Sequence, residues 1–149
     1  MKAVVQRVSR AEVRALGKVA GKIGHGMVIF VCVLEGDGEA SSRALAERIA
    51  RFRFFVDDDG KMNLSALDTD ASALVISQFT LAADGKKGRR PSFDRAARPD
   101  VARPLYEHFA ECLADLGLTV ARGAFGEHMD VECVGDGPVT FSLEEIPAT

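Results

Sequence analysis

The chain has 149 residues, 47% of them hydrophobic and 28% charged, and a formal net charge of −3. That length predicts one domain, residues 1–149, large enough to bury a core. The acidic balance argues against a protein that coats polyanions with general positive charge. The longest apolar run, Met27 to Leu34, is far short of the roughly 18 residues a membrane helix needs.

The opening segment, MKAVVQRVSR, interleaves charges with apolar residues and has no cleavage pattern, so it predicts no signal peptide and a cytoplasmic location. Ala3, Val5 and Arg7 alternate with Val4, Gln6 and Val8, the period of a strand. EVRALGKVAGKIG reads as a hairpin turning near Leu16 and Gly17. The run Met27 to Leu34, MVIFVCVL, is rich in β-branched residues and predicts a central buried strand. GDGEASSRALAERIARFRFF follows with Leu45, Ile49 and Phe52 on one stripe and Ala46 and Ala50 beside it, the spacing of an amphipathic helix.

VDDDGKMNL begins with an Asp-Gly turn; a calcium loop would require glycine where Met62 stands. Ala71 to Leu81, ASALVISQFTL, predicts a second central strand. Then Lys86, Lys87, Arg89 and Arg90 crowd into one short loop, with Arg95 and Arg98 just beyond, which suits either a local phosphate contact or a solvated turn. A helix is expected from about Pro99 to Leu116, with Pro104 arguing for a later start and Gly117 as its C-terminal cap. Its buried face would carry Tyr106, Phe109, Leu113 and Leu116. The tail from Leu118 to Ile146 reads as strand, turn, strand, turn, strand, with Gly137-Pro138 as punctuation. Two main helices among several strands, without regular βαβ alternation, predict an α+β fold with a mostly antiparallel or mixed sheet.

Side-chain catalysis is hard to assemble from this sequence. There is no G-x-S-x-G elbow, and Cys32, Cys112 and Cys133 lack the spacing of a disulfide framework or zinc site. They are expected to be small buried hydrophobes. His25, His108 and His128 have no sequence partner that singles one out, and no carboxylate stands alone in an apolar strand. What remains is a polar cluster, Ser77, Gln78 and Thr80, directly after the apolar ALVI. At such a strand end, backbone N–H groups and short hydroxyls can converge on a ligand.

SQFTL (Ser77 to Leu81) and GPVT (Gly137 to Thr140) together resemble the paired signature of D-aminoacyl-tRNA deacylases. MKAVVQRV, GKMNLS (Gly60 to Ser65) and RPSF (Arg90 to Phe93) add to the likeness, which runs through nearly the whole chain in order. The motifs have the form of the D-specific bacterial type, rather than the altered form of deacylases with other specificity. The resemblance implies the family's compact α+β fold and hydrolysis of the ester that joins a D-amino acid, or glycine mischarged on the tRNA for alanine, to the terminal ribose. It implies a homodimer with the pocket at the subunit interface, binding the aminoacyl-tRNA 3′ end. No metal, no organic cofactor, no membrane and no DNA partner is expected.

For the site, the resemblance implies catalysis by Ser77, Gln78, Phe79 and Thr80. An aminoacyl ester is already activated and carries a neighbouring 2′-hydroxyl. The protein then needs mainly to position it and stabilise an oxyanion, with the amides of Phe79 and Thr80 as donors. The rival role for Thr80, a covalent nucleophile, needs a base that the neighbouring sequence lacks. Phe125 and Met129 are expected beside the terminal adenosine. Their segment reads FGEHM where FGADM or similar is commoner, so Glu127 and His128 carry no implied role. Lys86, Lys87, Arg89 and Arg90 become candidates for phosphates of the acceptor arm. Gly137 and Pro138 become a Gly-cis-Pro step that enters the partner's pocket and excludes L-residues. Two other functions compete: a non-catalytic nucleic-acid-binding module, and a same-fold enzyme that edits an L-amino acid.

Overall fold

The structure, a computed structural model, describes residues 1–147. Its spine is strand β1 (Lys2–Ala15). One edge of β1 pairs antiparallel with β3 (Gly26–Cys32) over Lys2 to Val8 and then with β2 (Lys18–Ile23) over Ala11 to Ala15. Its other edge carries β8 (Asp130–Glu144) along almost its whole length. On the far side of β3 lie β6 (Ser72–Ser77) and β7 (Thr119–Arg122), both parallel to it. The path across the sheet is β2-β1-β3-β6-β7. A Cβ on Gly21 of β2 would lie 2.5 Å from the Arg122 carbonyl oxygen of β7. Only glycine permits that approach, and it bends the sheet nearly into a barrel.

Parallel pairing requires crossovers, and the two helices supply them. Helix α1 (Glu39–Arg51) lies between β3 and β6, and α2 (Pro99–Asp115) lies between β6 and β7. The βαβ rhythm is hidden in the sequence because a small ribbon, β4 (Phe55–Val56) with β5 (Met62–Leu64), interrupts the first crossover. The helices pack together on one face of the sheet. Leu45, Ile49, Phe109 and Leu113 there meet Ala3, Val5, Ile29 and Val75 in the main core. Inside the curl of the other face sits a smaller cluster that includes Val8, Val13, Ile23, Val28, Leu74 and Ile76.

The mixed α+β architecture and the hairpin at Leu16 and Gly17 agree with expectation, and several details differ. Strand β6 stops at Ser77, and Phe79–Ala82 form a 3-10 turn rather than more strand. Helix α2 starts at Pro99, in its first position, where a missing N–H costs nothing. The tail contains two strands rather than three, because Gly137-Pro138 lies within β8. Cys32 is buried and Cys112 half-buried, but Cys133 is exposed on β8, contrary to the expectation of three buried cysteines.

Among the described residues one charged pair is fully buried. The Met1 ammonium donates to Asp37 Oδ1 at 2.7 Å and to the Glu145 carbonyl at 2.7 Å, while Asp37 Oδ2 accepts the Leu34 amide at 2.7 Å. This carboxylate ties the first residue, the loop after β3 and the end of β8 together just before α1. Removing one partner of a buried pair typically costs about 3–5 kcal/mol. Asp37→Ala is therefore expected to lower the urea midpoint by that equivalent with an unchanged slope. An unchanged midpoint would show that the pair does not hold these segments.

Candidate functional site

Because β3 and β6 run parallel, their carboxyl ends lie side by side, the place where parallel sheets usually leave a binding crevice. Ser77 is in register with Val31, and the Gln78 amide extends the ladder by donating to the Val31 carbonyl at 2.8 Å. The chain then enters the 3-10 turn. Its first internal bond is from the Leu81 amide to the Gln78 carbonyl, at 3.3 Å. The N–H groups of Phe79 and Thr80, one turn too early for such a bond, stand at the positive end of this turn. The Gln78 side-chain amide donates to Thr80 Oγ1. An amide cannot accept a proton, and no base reaches Thr80 Oγ1 among the hydrogen bonds of the described residues. The turn is backed from below by Cys32, whose Sγ donates to the Phe79 carbonyl at 3.6 Å. Burial, the largest influence on that thiol, raises its pKa, so it stays neutral.

A cavity of about 650 Å³ opens beside this turn. Ser77, Gln78 and Phe79 form one wall, Phe93 and the start of α2 a second, and the segment Phe125 to Met129 a third. Phe79 is 57% exposed and packs edge-to-face on Phe93 with centroids 5.1 Å apart. Phe125 is fixed by Tyr106, 5.6 Å away, and by the Arg103 guanidinium, 5.7 Å above its ring. Tyr106 donates to the Val75 carbonyl at 2.9 Å. Burial pushes its pKa up to about 12, so this phenol remains a donor at neutral pH. Met129 is pinned as its sulfur accepts the Ala124 amide at 3.3 Å. The result is an apolar chamber with aromatic faces beside a turn whose first amides have no bond within it, suited to a flat apolar group joined to a polar one.

Gly137 and Pro138 are elsewhere. Gln6 of β1 pairs with Thr140 and Val8 with Gly135, so five steps of β8 stand opposite two of β1. The surplus, Asp136 to Val139, is extruded as a bulge, with Gly137 and Pro138 exposed at its crest. The Gly137-Pro138 peptide is cis. A Cβ on Gly137 would lie 2.2 Å from the Val139 nitrogen, so no side chain fits there without moving the bulge. Beneath it lies Arg7, only 8% exposed. Its Nε donates to the Asp136 carbonyl at 2.9 Å and its Nη1 to the Phe54 carbonyl at 2.7 Å, while the Asp136 carboxylate is 3.3 Å away.

The fold thus gathers Ser77, Gln78, Phe79, Phe125 and Met129 on one cavity and puts Thr80 on the adjoining turn. It does not bring Gly137 and Pro138 to that cavity. Val131, near the start of β8, lines the cavity, and Gly137 lies six residues further along the same strand, roughly 20 Å away at about 3.3 Å per residue. Lys86, Lys87, Arg89 and Arg90 are also absent from its walls. They sit exposed in a loop closed at its base by paired bonds of 2.8 Å between the Asp84 and Ser92 backbones. Phe93, Arg98, Cys32 and Arg7 are site or support residues to which the sequence reading gave no role at this cavity. Phe93 stood there only as the end of RPSF and Arg98 only beside the basic loop, while Arg7 left a signal as a charged residue on the buried side of a strand.

The chain matches the family model described as D-Tyr-tRNA(Tyr) deacylase over residues 4–144. It is 51% identical to a D-aminoacyl-tRNA deacylase of Cereibacter sphaeroides, over 97% of this chain and 99% of that protein. It is likewise 51% identical to one of Symbiobacterium thermophilum, over 97% and 95%. Among solved structures it is similar to a c-Myc DNA Unwinding Element Binding Protein, with a TM-score of 0.91, 36% identity and coverage of 99% and 100%. A probable eukaryotic D-amino acid tRNA deacylase shares the fold with a TM-score of 0.83 at 15% identity, over 95% and 97%.

Arg7→Ala would leave two carbonyls without their donor, at roughly 1–3 kcal/mol for each buried acceptor. It is expected to speed amide exchange across residues 134–142 more than at the Glu144 end of β8. Equal exchange at both ends would show that the bulge stands without the guanidinium.

Proposed function

The chain belongs to the D-aminoacyl-tRNA deacylase family, whose members hydrolyse the ester bond of D-aminoacyl-tRNA, and on that premise we propose how its residues do so. The observation that carries the proposal is the cavity itself. Ser77 to Phe79 and Phe125 to Met129, about 50 residues apart, form two walls of one chamber. In this reading the terminal adenosine lies against Phe125 and Met129, and its aminoacyl ester reaches the turn Phe79–Ala82.

The amides of Phe79 and Thr80 stabilise the oxyanion as water attacks the ester carbonyl. The 2′-hydroxyl of the terminal ribose helps deliver that water, and the ester's own activation makes a strong side-chain base unnecessary. Ser77 and Gln78 shape the wall, with Gln78 also orienting Thr80. Thr80 supplies its amide rather than a nucleophile, because its hydroxyl is held by a group that cannot take its proton.

Chiral selection is assigned to Gly137 and Pro138, acting in a homodimer. The bulge is exposed, and within one chain it lies far from the cavity. Near it, Val134 is an exposed apolar residue on the same strand, which favours burial against a second copy. A partner's backbone at the chamber mouth would meet the substituents of the α-carbon without gripping the side chain. It would admit a D-residue or glycine, including glycine on the tRNA for alanine, and obstruct an L-residue. Lys86, Lys87, Arg89 and Arg90, on their anchored loop, contact phosphates of the acceptor arm.

The test follows ester loss from D-Tyr-tRNA, L-Tyr-tRNA and Gly-tRNA. Rapid loss of the D and glycyl esters with the L ester spared is expected, and Thr80→Ala should retain most of that activity. Hydrolysis of the L ester would point instead to an L-editing enzyme, and hydrolysis of none to a binding module. A loss of several orders of magnitude in Thr80→Ala would restore the covalent route.

A further inference from the structure

We propose that Arg98 binds the phosphodiester on the 5′ side of the terminal nucleoside. The inference rests on the reading of the cavity as that nucleoside's site. The inner surface of the cavity is apolar, with Ile76, Ala97, Ala102, Phe125 and Met129, so a base enters it first. The charged lining residues are Arg98, Glu127 and His128, and Arg98 is the one permanent cation among them. A nucleoside seated by its base must turn its sugar-phosphate link toward such polar groups.

The neighbouring arginines are committed elsewhere. Arg95 pairs with Glu144 at 3.2 Å, and Arg103 pairs with Glu107 at 3.3 Å and lies over Phe125. Among the described residues Arg98 pairs only with Asp100, at 3.6 Å, and its side chain is 84% exposed. An exposed pair of that kind contributes little, so exchanging it for a phosphate costs little, and a guanidinium can engage two phosphate oxygens at once. The loop cations at 86–90 do not line the cavity, which leaves Arg98 as the cation for the phosphate nearest the reacting ester.

The test compares Arg98→Gln with the unsubstituted protein on two substrates, D-Tyr-tRNA and the D-tyrosyl ester of free adenosine, which has no phosphate. On the tRNA, KM should rise about tenfold with kcat little changed, and the salt dependence of log KM should lose about one unit of slope. The loss on the adenosine ester should be about tenfold smaller, and Arg98→Lys should recover part of the tRNA effect. Equal losses on both substrates, or no loss on the tRNA, would overturn the assignment. If the unsubstituted protein hydrolyses neither ester, the functional reading fails and the assignment falls with it.

Discussion

A buried guanidinium must find acceptors, and in this protein that requirement shapes the sheet. Arg7 lies in line with Ala3 and Val5 on the inward side of β1, so its charge cannot escape to solvent without turning the strand over. Its donors are met by main-chain carbonyls of Phe54 and Asp136 and by the Asp136 carboxylate. For Asp136 to supply both, β8 must leave the ladder between Gly135 and Thr140. The bulge that results lifts Gly137 and Pro138 into solvent. The one feature of β8 that resembles a turn is thus an outgrowth of a charge buried in another strand.

A second constraint places the reacting groups. β6 is central and parallel to both neighbours, so its end abuts no hairpin and opens into a crevice. The 3-10 turn that follows has backbone donors at its start and the Cys32 thiol against the Phe79 carbonyl behind it. Chemistry that relies on amides needs such a rigid support, since a displaced donor loses much of its effect. The edge-to-face pair of Phe79 and Phe93 and the contacts around Phe125 provide the same stiffness on the other walls. These features suit the proposed chemistry, in which backbone amides rather than a side-chain triad act on the ester.

Much of this was legible in the sequence, and what was missed has a physical pattern. Local periodicity identified β1, the hairpin, β3, α1 and α2 because each carries an apolar rhythm of its own. The parallel crossovers escaped because the β4–β5 ribbon breaks their spacing. The end of β6 was misread because SQFTL is apolar enough to continue a strand, whereas the turn depends on tertiary support. Ser77 and Gln78 stood out as polar residues at the end of an apolar strand, whereas Phe79, Phe125 and Met129 came from motif resemblance. Phe93 was legible only as the end of RPSF and Arg98 only as a flank of the basic loop: their place on the cavity wall follows from where α2 begins. Asp37 escaped because its partner, the Met1 ammonium, lies 36 residues away.

The central claim is that one copy's Gly137 and Pro138 complete the chamber of the other. Subunit mixing tests it directly. Combine a variant with a damaged chamber, Phe125→Ala, with one whose bulge cannot keep its shape, Gly137→Ala, and measure hydrolysis of D-Tyr-tRNA. In a two-fold dimer with shared sites, each mixed dimer has one doubly damaged site and one intact site, so random mixing restores about a quarter of unsubstituted activity. That recovery is the predicted result. Activity that never exceeds the mean of the two variants, despite demonstrated subunit exchange, would contradict the account.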